Sequence, residues 1–186
     1  WWRIEEWLST PLPVDRPTEA MEAVRETIDN AIRRQTIADV PVGLFLSGGV
    51  DSSAIAAACR YSDVPVPVSY AAGFDVFGSV NELPKAAKVA KHLGLQHKEL
   101  RITDADLVDA LQVLSLAHDE PFGDAANIPL YLMCKDLPGE VKVVLQGDGG
   151  DEVFAGYRRY SLLKNADFWN LWPQFLSTMA RSIGEY

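Results

Sequence analysis

Val42-Gly43-Leu44-Phe45-Leu46-Ser47-Gly48-Gly49-Val50-Asp51-Ser52-Ser53 is the stretch whose reading decides the fold. Its first five residues form a short apolar run of the kind buried on both faces of a parallel sheet, and the run stops abruptly in serine and glycine before an alanine-rich helical stretch. A strand, a tight loop and a helix are predicted in that order. The adjacent Gly48 and Gly49 let the backbone turn so that successive amide N–H groups point at one anion, and the following helix adds its positive N-terminal end. Ser47, Ser52 and Ser53 offer hydroxyl donors. The result is a phosphate cradle without the Gly-Lys-Ser/Thr ending of a Walker loop, which disfavours a P-loop kinase or GTPase. Asp51 is the informative departure, because a bare carboxylate repels a phosphate unless a divalent cation lies between them, and magnesium is the hard, oxygen-seeking ion for that place. The plainer alternative is an ordinary turn with Asp51 capping the helix.

Outward from this loop, Met21, Val24, Ile28 and Ile32 fall at helical spacing and predict a packing helix over 18–35. A second strand is expected at 67–72, a loop at 73–79, a helix at 82–93 ended by Gly94, and a third strand at 96–100. Helices at 105–117 and 128–137 bracket a polar loop. Lys142-Val143-Val144-Leu145-Gln146 then reads as another buried strand, ending in the acidic glycine-rich turn Gly147-Asp148-Gly149-Gly150-Asp151-Glu152. Strands alternating with helices predict an α/β fold with a parallel sheet, helices on both faces, and ligand-binding loops along the carboxyl edge. If the strands before the two glycine loops are near neighbours, both loops open on one edge. Asp151 then supplies a second carboxylate for magnesium opposite Asp51, and Asp148 faces the reacting group as a base or orienting group. A solvated acidic turn is the plainer reading of this second loop.

The 186 residues, 48% hydrophobic and 23% charged, suit a globular domain with a sizeable core, taken here as 18–186 after a Trp- and Pro-rich linker at 1–17. A net charge of −9 argues against a broad nucleic-acid surface. No apolar run is long enough for a membrane helix and no secretory pattern opens the chain, so the default location is the cytoplasm. Cys59 and Cys134 lack metal-ligand or CxxC spacing and are expected to be buried small apolar residues. The aromatic stretch at 168–175 suggests a piece of a larger protein.

Three further blocks join the first glycine loop: Glu82 with Ala86-Ala87-Lys88-Val89-Ala90-Lys91-His92-Leu93-Gly94, then Asp119-Glu120-Pro121-Phe122, then Gly147-Asp148-Gly149-Gly150-Asp151-Glu152-Val153-Phe154-Ala155-Gly156-Tyr157. Together with Asp39-Val40-Pro41 and the loop, they resemble the PP-loop ATP pyrophosphatases, and most closely the synthetase domain of the glutamine-dependent asparagine synthetases. The resemblance spans nearly the whole chain and implies the adenine nucleotide alpha hydrolase-like fold. It implies that Ser47, Gly48, Gly49, Asp51, Ser52 and Ser53 hold the pyrophosphate portion of ATP. Phe45 and Ala72 would contact the adenosine portion, and Gln146 and Gly147 would lie against the nucleotide. Asp51 and Asp151 match the magnesium carboxylates, and Asp148 matches an acidic position facing the acceptor.

The implied activity is that of an AMP-forming ligase: ATP adenylates a small carboxylate such as aspartate, and ammonia then displaces AMP. Ammonia would come from a glutaminase domain outside this segment, and the segment alone is expected to bind nucleotide better than it catalyses. A β-lactam-forming or other carboxylate amidotransferase, or a non-catalytic nucleotide-binding module, are the competing readings. No nucleic-acid or membrane partner is expected, and a homo-oligomer is left open. Glu82 reads as a helix cap, His97 as a strand-end residue, His118-Asp119-Glu120 as a charge cluster before a proline turn, and Arg158 and Arg159 as surface residues.

Overall fold

The structure, a computed structural model, describes residue 3 and residues 16–65, 67–74, 81–120, 123–124, 126–139 and 141–163. The expected linker at 1–17, the tip of the expected loop at 73–79 and the aromatic stretch at 168–175 lie wholly or mostly outside these residues. The chain divides into two compact units, Trp1–Gln146 and Gly147–Tyr186.

In the first unit, α1 (Pro17–Gln35) leads to β1 (Val42–Phe45), α2 (Val50–Tyr61), β2 (Val68–Phe74), α3 (Leu83–Leu93), β3 (His97–Ile102), α4 (Asp104–Ala117), α5 (Asn127–Asp136) and β4 (Val143–Leu145). The sheet has the order β3-β2-β1-β4, and every strand pair is parallel. In β1, Gly43 aligns with Val68 of β2 and with Val144 of β4, so β1 is covered by a strand on each side. That position explains its composition: a strand with neighbours on both edges and helices on both faces has no solvent side.

Two cores flank the sheet. Leu44 and Leu46, at 0% and 2% exposure, pack with Ile32, Ala56, Cys59, Ala71, Ala86, Ala90, Leu93 and Leu145, so this core lies beneath α1, α2 and α3. On the other face, Ile102, Ala110 and Leu132 pack with Ala72, Phe74, Leu100, Leu107, Ile128 and Tyr131, beneath α4 and α5. Ala71 turns to one core, Ala72 and Phe74 to the other, the alternation expected of a strand. Among the described residues no helix is long and apolar enough to cross a membrane.

Several boundaries differ from the expectation for physical reasons. β2 continues through Gly73 to Phe74 and β3 through Arg101 to Ile102, because those residues pair with one another, Gly73 with Arg101 and Phe74 with Ile102. Gly73 is there for space: a Cβ would collide with the Leu83 side chain and stand 2.6 Å from Asn81 Oδ1. Glu82 does not cap α3 through its side chain; Asn81 Oδ1 accepts from the Leu83 N–H at 3.0 Å instead. α3 ends at Gly94, whose φ of 65° places it in the left-handed region, with Leu95 N–H donating to Ala90 O at 2.9 Å. α4 starts in a reciprocal capping box: Thr103 Oγ1 accepts from Asp106 N–H at 3.4 Å, and Asp106 Oδ2 accepts from Thr103 N–H at 2.9 Å. The Thr103 hydroxyl and amide hold the Asp106 carboxyl below its ordinary pKa. Cys59 is buried as expected, and burial pushes its thiol up to about 11. Cys134 is exposed rather than buried, because α5 turns Leu132 inward and leaves Cys134 on the outer side.

His97 sits half-buried at the start of β3. The Ser69 hydroxyl donates to Gln96 O at 3.0 Å and lies 2.9 Å from His97 Nδ1, while His97 Nε2 is buried with no hydrogen-bond partner among the described residues. Burial lowers the His97 pKa, opposed by the negative charge of Glu99. A histidine whose folded pKa is depressed stabilises above its unfolded value of about 6.5, and that contribution is lost as pH falls through the lower folded value. Urea unfolding from pH 7.5 to pH 5 should therefore show a decline in stability that is flattened in His97→Gln; an unchanged slope in the variant would remove His97 as its source.

Gly48 joins the first loop to α3. Its φ is +77°, and a Cβ would lie 2.7 Å from both the carbonyl carbon and Cβ of Lys85 and 2.8 Å from the Ala86 nitrogen. Gly48→Ala is expected to cost about 1–2 kcal/mol from the left-handed backbone and roughly 1–3 kcal/mol from overpacking against main chain. Chemical denaturation measures the sum, and a loss under about 0.5 kcal/mol, within the range of an ordinary surface substitution, would contradict this packing.

Candidate nucleotide site at the carboxyl edge

From β1 the chain order runs outward through β2 to β3 and then returns to place β4 on β1's other side. The connection leaving β1 runs to β2 on one side and the connection from β3 returns to β4 on the other, so the strand order reverses between β1 and β4. In open α/β sheets ligands bind outside the carboxyl ends of the strands at such a reversal. Residues 47–53 follow β1 directly, and Gln146 follows β4. The condition set by the sequence, that the two strands be neighbours, is met: Leu44 is the register partner of Leu145.

Within the loop, hydroxyl contacts fix the turn. Ser47 and Ser52 Oγ atoms lie 3.0 Å apart, Gly49 N–H donates to Ser47 Oγ at 3.2 Å, and Ser47 N–H donates to Ser52 Oγ at 3.3 Å. Ser52 is buried at 6% exposure while Ser47 and Gly49 are exposed, so this small network runs from the loop's rim to its base. The backbone of Gly49 then opens α2, with Ser53 N–H donating to Gly49 O at 3.1 Å. The amides of Val50, Asp51 and Ser52 precede any intrahelical acceptor and make no backbone bond among the described residues. Ser53 Oγ is a buried hydroxyl with no hydrogen-bond partner among the described residues. Unspent amides and an orphaned hydroxyl at the positive end of a 12-residue helix suit a multiply charged oxyanion.

Asp51 lies in the first turn of α2, partly exposed, and makes no ion pair among the described residues. Among the described residues no group of three or more His, Cys, Asp or Glu side chains gathers into a ready-made metal cage. Phe45 is buried at 8% exposure, and it and Ala72 face the side of the sheet opposite Leu44. Ala72 packs into the second core, so a ligand at that edge would meet mainly its backbone. Phe45, residues 47–53, Ala72 and Gln146 thus share the carboxyl edge of one sheet.

Gly147, Asp148 and Asp151 belong to the second unit, which contains α6 (Gly150–Val153) and α7 (Arg158–Leu163). Gly149, at φ 91°, opens α6, and Gly150 N–H donates to Gly147 O at 3.3 Å. Asp151 is held over Gly156, where any Cβ would collide with its carboxylate, and Gly156 N–H donates to Asp151 O at 2.9 Å. The Tyr157 hydroxyl donates to Glu152, an exposed pair that holds the Glu152 carboxyl below and the Tyr157 phenol above their ordinary pKa values. Arg159 stacks on the Tyr157 ring at 4.4 Å, which accounts for it as a structural residue of this unit.

Two features of the site were not read from the sequence. The Ser47–Ser52 pairing needs the loop's three-dimensional turn. The approach of α3 to Gly48 joins segments far apart in the chain.

Comparison with known proteins gives this geometry a family. The asparagine synthase family model matches residues 23–185. A putative glutamine-hydrolysing asparagine synthetase of Methanocaldococcus jannaschii is 32% identical over 172 residues, which cover 92% of this chain and 33% of that protein. The glutamine-hydrolysing asparagine synthetase B of Escherichia coli is 33% identical over 178 residues, covering 87% of this chain and 31% of that protein. The chain therefore spans about a third of the length of these relatives. Among solved structures, a glutamine-dependent NAD+ synthetase from Acinetobacter baumannii in complex with ADP is similar in fold, with a TM-score of 0.50 at 18% identity over 72% of this chain and 27% of that one. The parallel sheet with the glycine loop at its switch point, and the match across residues 23–185, make this chain a member of the asparagine synthase family.

Proposed function

We propose that this chain is the nucleotide-binding core of an AMP-forming ligase that activates a small carboxylate with ATP and passes it to ammonia. The observation that carries the reading is the loop at 47–53, set at the carboxyl end of β1 beside β4, with unspent amides at a helix N-terminus. The names of the relatives support the amide-forming part, and aspartate is the first acceptor to test.

In this reading Ser47, Gly48, Gly49, Asp51, Ser52 and Ser53 hold the pyrophosphate portion of ATP, through the unspent amides at the start of α2 and the serine hydroxyls. Phe45 and the backbones of Ala72, Gln146 and Gly147 lie along the adenosine. Asp51 and Asp151 would hold magnesium; the unpaired Asp51 carboxylate and the absence of a three-ligand cage among the described residues fit an ion that takes one or two carboxylates, phosphate oxygens and water. When bound, that ion neutralises charge on the phosphates.

A carboxylate oxygen of the acceptor attacks the α-phosphorus, the bond from that phosphorus to the bridging oxygen breaks, and pyrophosphate leaves. The loop amides meet the charge that accumulates on it, at no cost in reorganisation because their positions are already set. Ammonia then adds to the acyl carbon, AMP departs, and the nitrogen loses a proton, for which Asp148 is the proposed acceptor. The donor would be freed from glutamine by the part of the polypeptide that the relatives carry outside the matched region.

The full-length polypeptide incubated with ATP, magnesium, aspartate and ammonium should yield AMP and pyrophosphate, with turnover falling on the order of 100-fold or more in Asp51→Asn. ADP and phosphate as products would contradict the adenylation chemistry, and AMP formation without aspartate dependence would point to another acceptor.

A further inference from the structure

The loop at 47–53 carries no cation; its one charged side chain is Asp51. A pyrophosphate group bears several negative charges, and hydrogen bonds to an ionised donor hold such oxygens about twice as strongly as those from neutral groups. The chain that comes closest to Gly48 from elsewhere in the fold is the first turn of α3, where the carbonyl carbon and Cβ of Lys85 stand 2.7 Å from the position a Gly48 Cβ would take. The root of the Lys85 side chain therefore lies directly over the loop.

That turn has no amide to offer an anion. Leu83 N–H donates to Asn81 Oδ1 at 3.0 Å, residue 84 is proline, and Lys85 and Ala86 N–H both donate to Glu82 O at 3.0 Å. What remains is the Lys85 ammonium, on an exposed four-carbon stem and without an ion pair among the described residues. The helix is held in place by main-chain contact at Gly48, by side-chain contact at Gly73 and by the burial of Leu83, Ala86, Ala90 and Leu93, so the lysine projects from a rigid base.

We propose that Lys85 is a phosphate-binding residue that supplies from α3 the positive charge the glycine loop lacks, pairing with the β- or γ-phosphate oxygens of ATP. The assignment rests on the ATP reading of the loop. It gives α3 a part in the site, in place of the loop lysine of Walker-type sites.

The test is calorimetric titration of the full-length polypeptide and its Lys85→Gln and Lys85→Arg variants with magnesium pyrophosphate, and separately with AMP, at low and moderate salt. Lys85→Gln should weaken pyrophosphate binding about tenfold or more and reduce its salt dependence, leave AMP binding within about twofold, and be largely rescued by Lys85→Arg. Pyrophosphate affinity unchanged in Lys85→Gln would overturn the assignment and leave the ATP reading standing. Equal losses for pyrophosphate and AMP would also overturn it, by showing a structural role. A parent protein that binds neither pyrophosphate nor ATP would remove both readings.

Discussion

The close contact between the main chain of α3 and the left-handed Gly48 is the constraint on which the carboxyl edge depends. Two demands meet at that residue. The loop must turn sharply enough to free the amides before α2, which requires a φ of +77°, and the first turn of α3 must sit where a side chain would otherwise stand. Only glycine meets both. Gly73 repeats the steric half of this arrangement one strand away, by making room for Asn81 and Leu83. The segment from Asn81 to Ala86 is thereby seated on the ends of two adjacent strands, and the hydrogen bonds of Asn81 and Glu82 complete its backbone.

Charge and burial divide the labour at the site. The serine network is neutral and anchored by one buried member: Ser52 is buried, and its hydroxyl pairs with that of the exposed Ser47, so it shapes the loop without carrying charge. Asp51 on α2, partly exposed, and Lys85 on α3, exposed, carry opposite charge and both keep contact with solvent, which avoids the full desolvation penalty of burying either. A protein of net charge −9 has no long-range attraction for an anionic nucleotide, so the proposed binding rests on this local set of amides and hydroxyls and on the proposed Lys85 contact.

The central strand, the glycine loop and the alternation of strands and helices were legible in the sequence, because an apolar run cut short by Ser-Gly-Gly has few other solutions. Adjacency of β1 and β4 stood as a condition rather than a result, since strand order is a tertiary property. In the sequence Gly73 reads as the start of a loop, because glycine marks both a break and a close approach, and only the packing against Leu83 distinguishes them. The exposure of Cys134 is not legible in the sequence, because α5 is apolar around most of its circumference and its pattern does not say which side turns to the sheet. Asn81 as the cap of α3, and Lys85 over the loop, follow from contacts between segments that no local pattern connects.

The central claim, that the site joins a carboxylate oxygen to the α-phosphorus, is tested most directly by following that oxygen. The full-length polypeptide would be supplied with ATP, magnesium, ammonium and aspartate labelled with oxygen-18 in its side-chain carboxylate, and the products examined by mass spectrometry. The account predicts AMP carrying one labelled oxygen and unlabelled pyrophosphate. AMP without label, or label in inorganic phosphate, would contradict it.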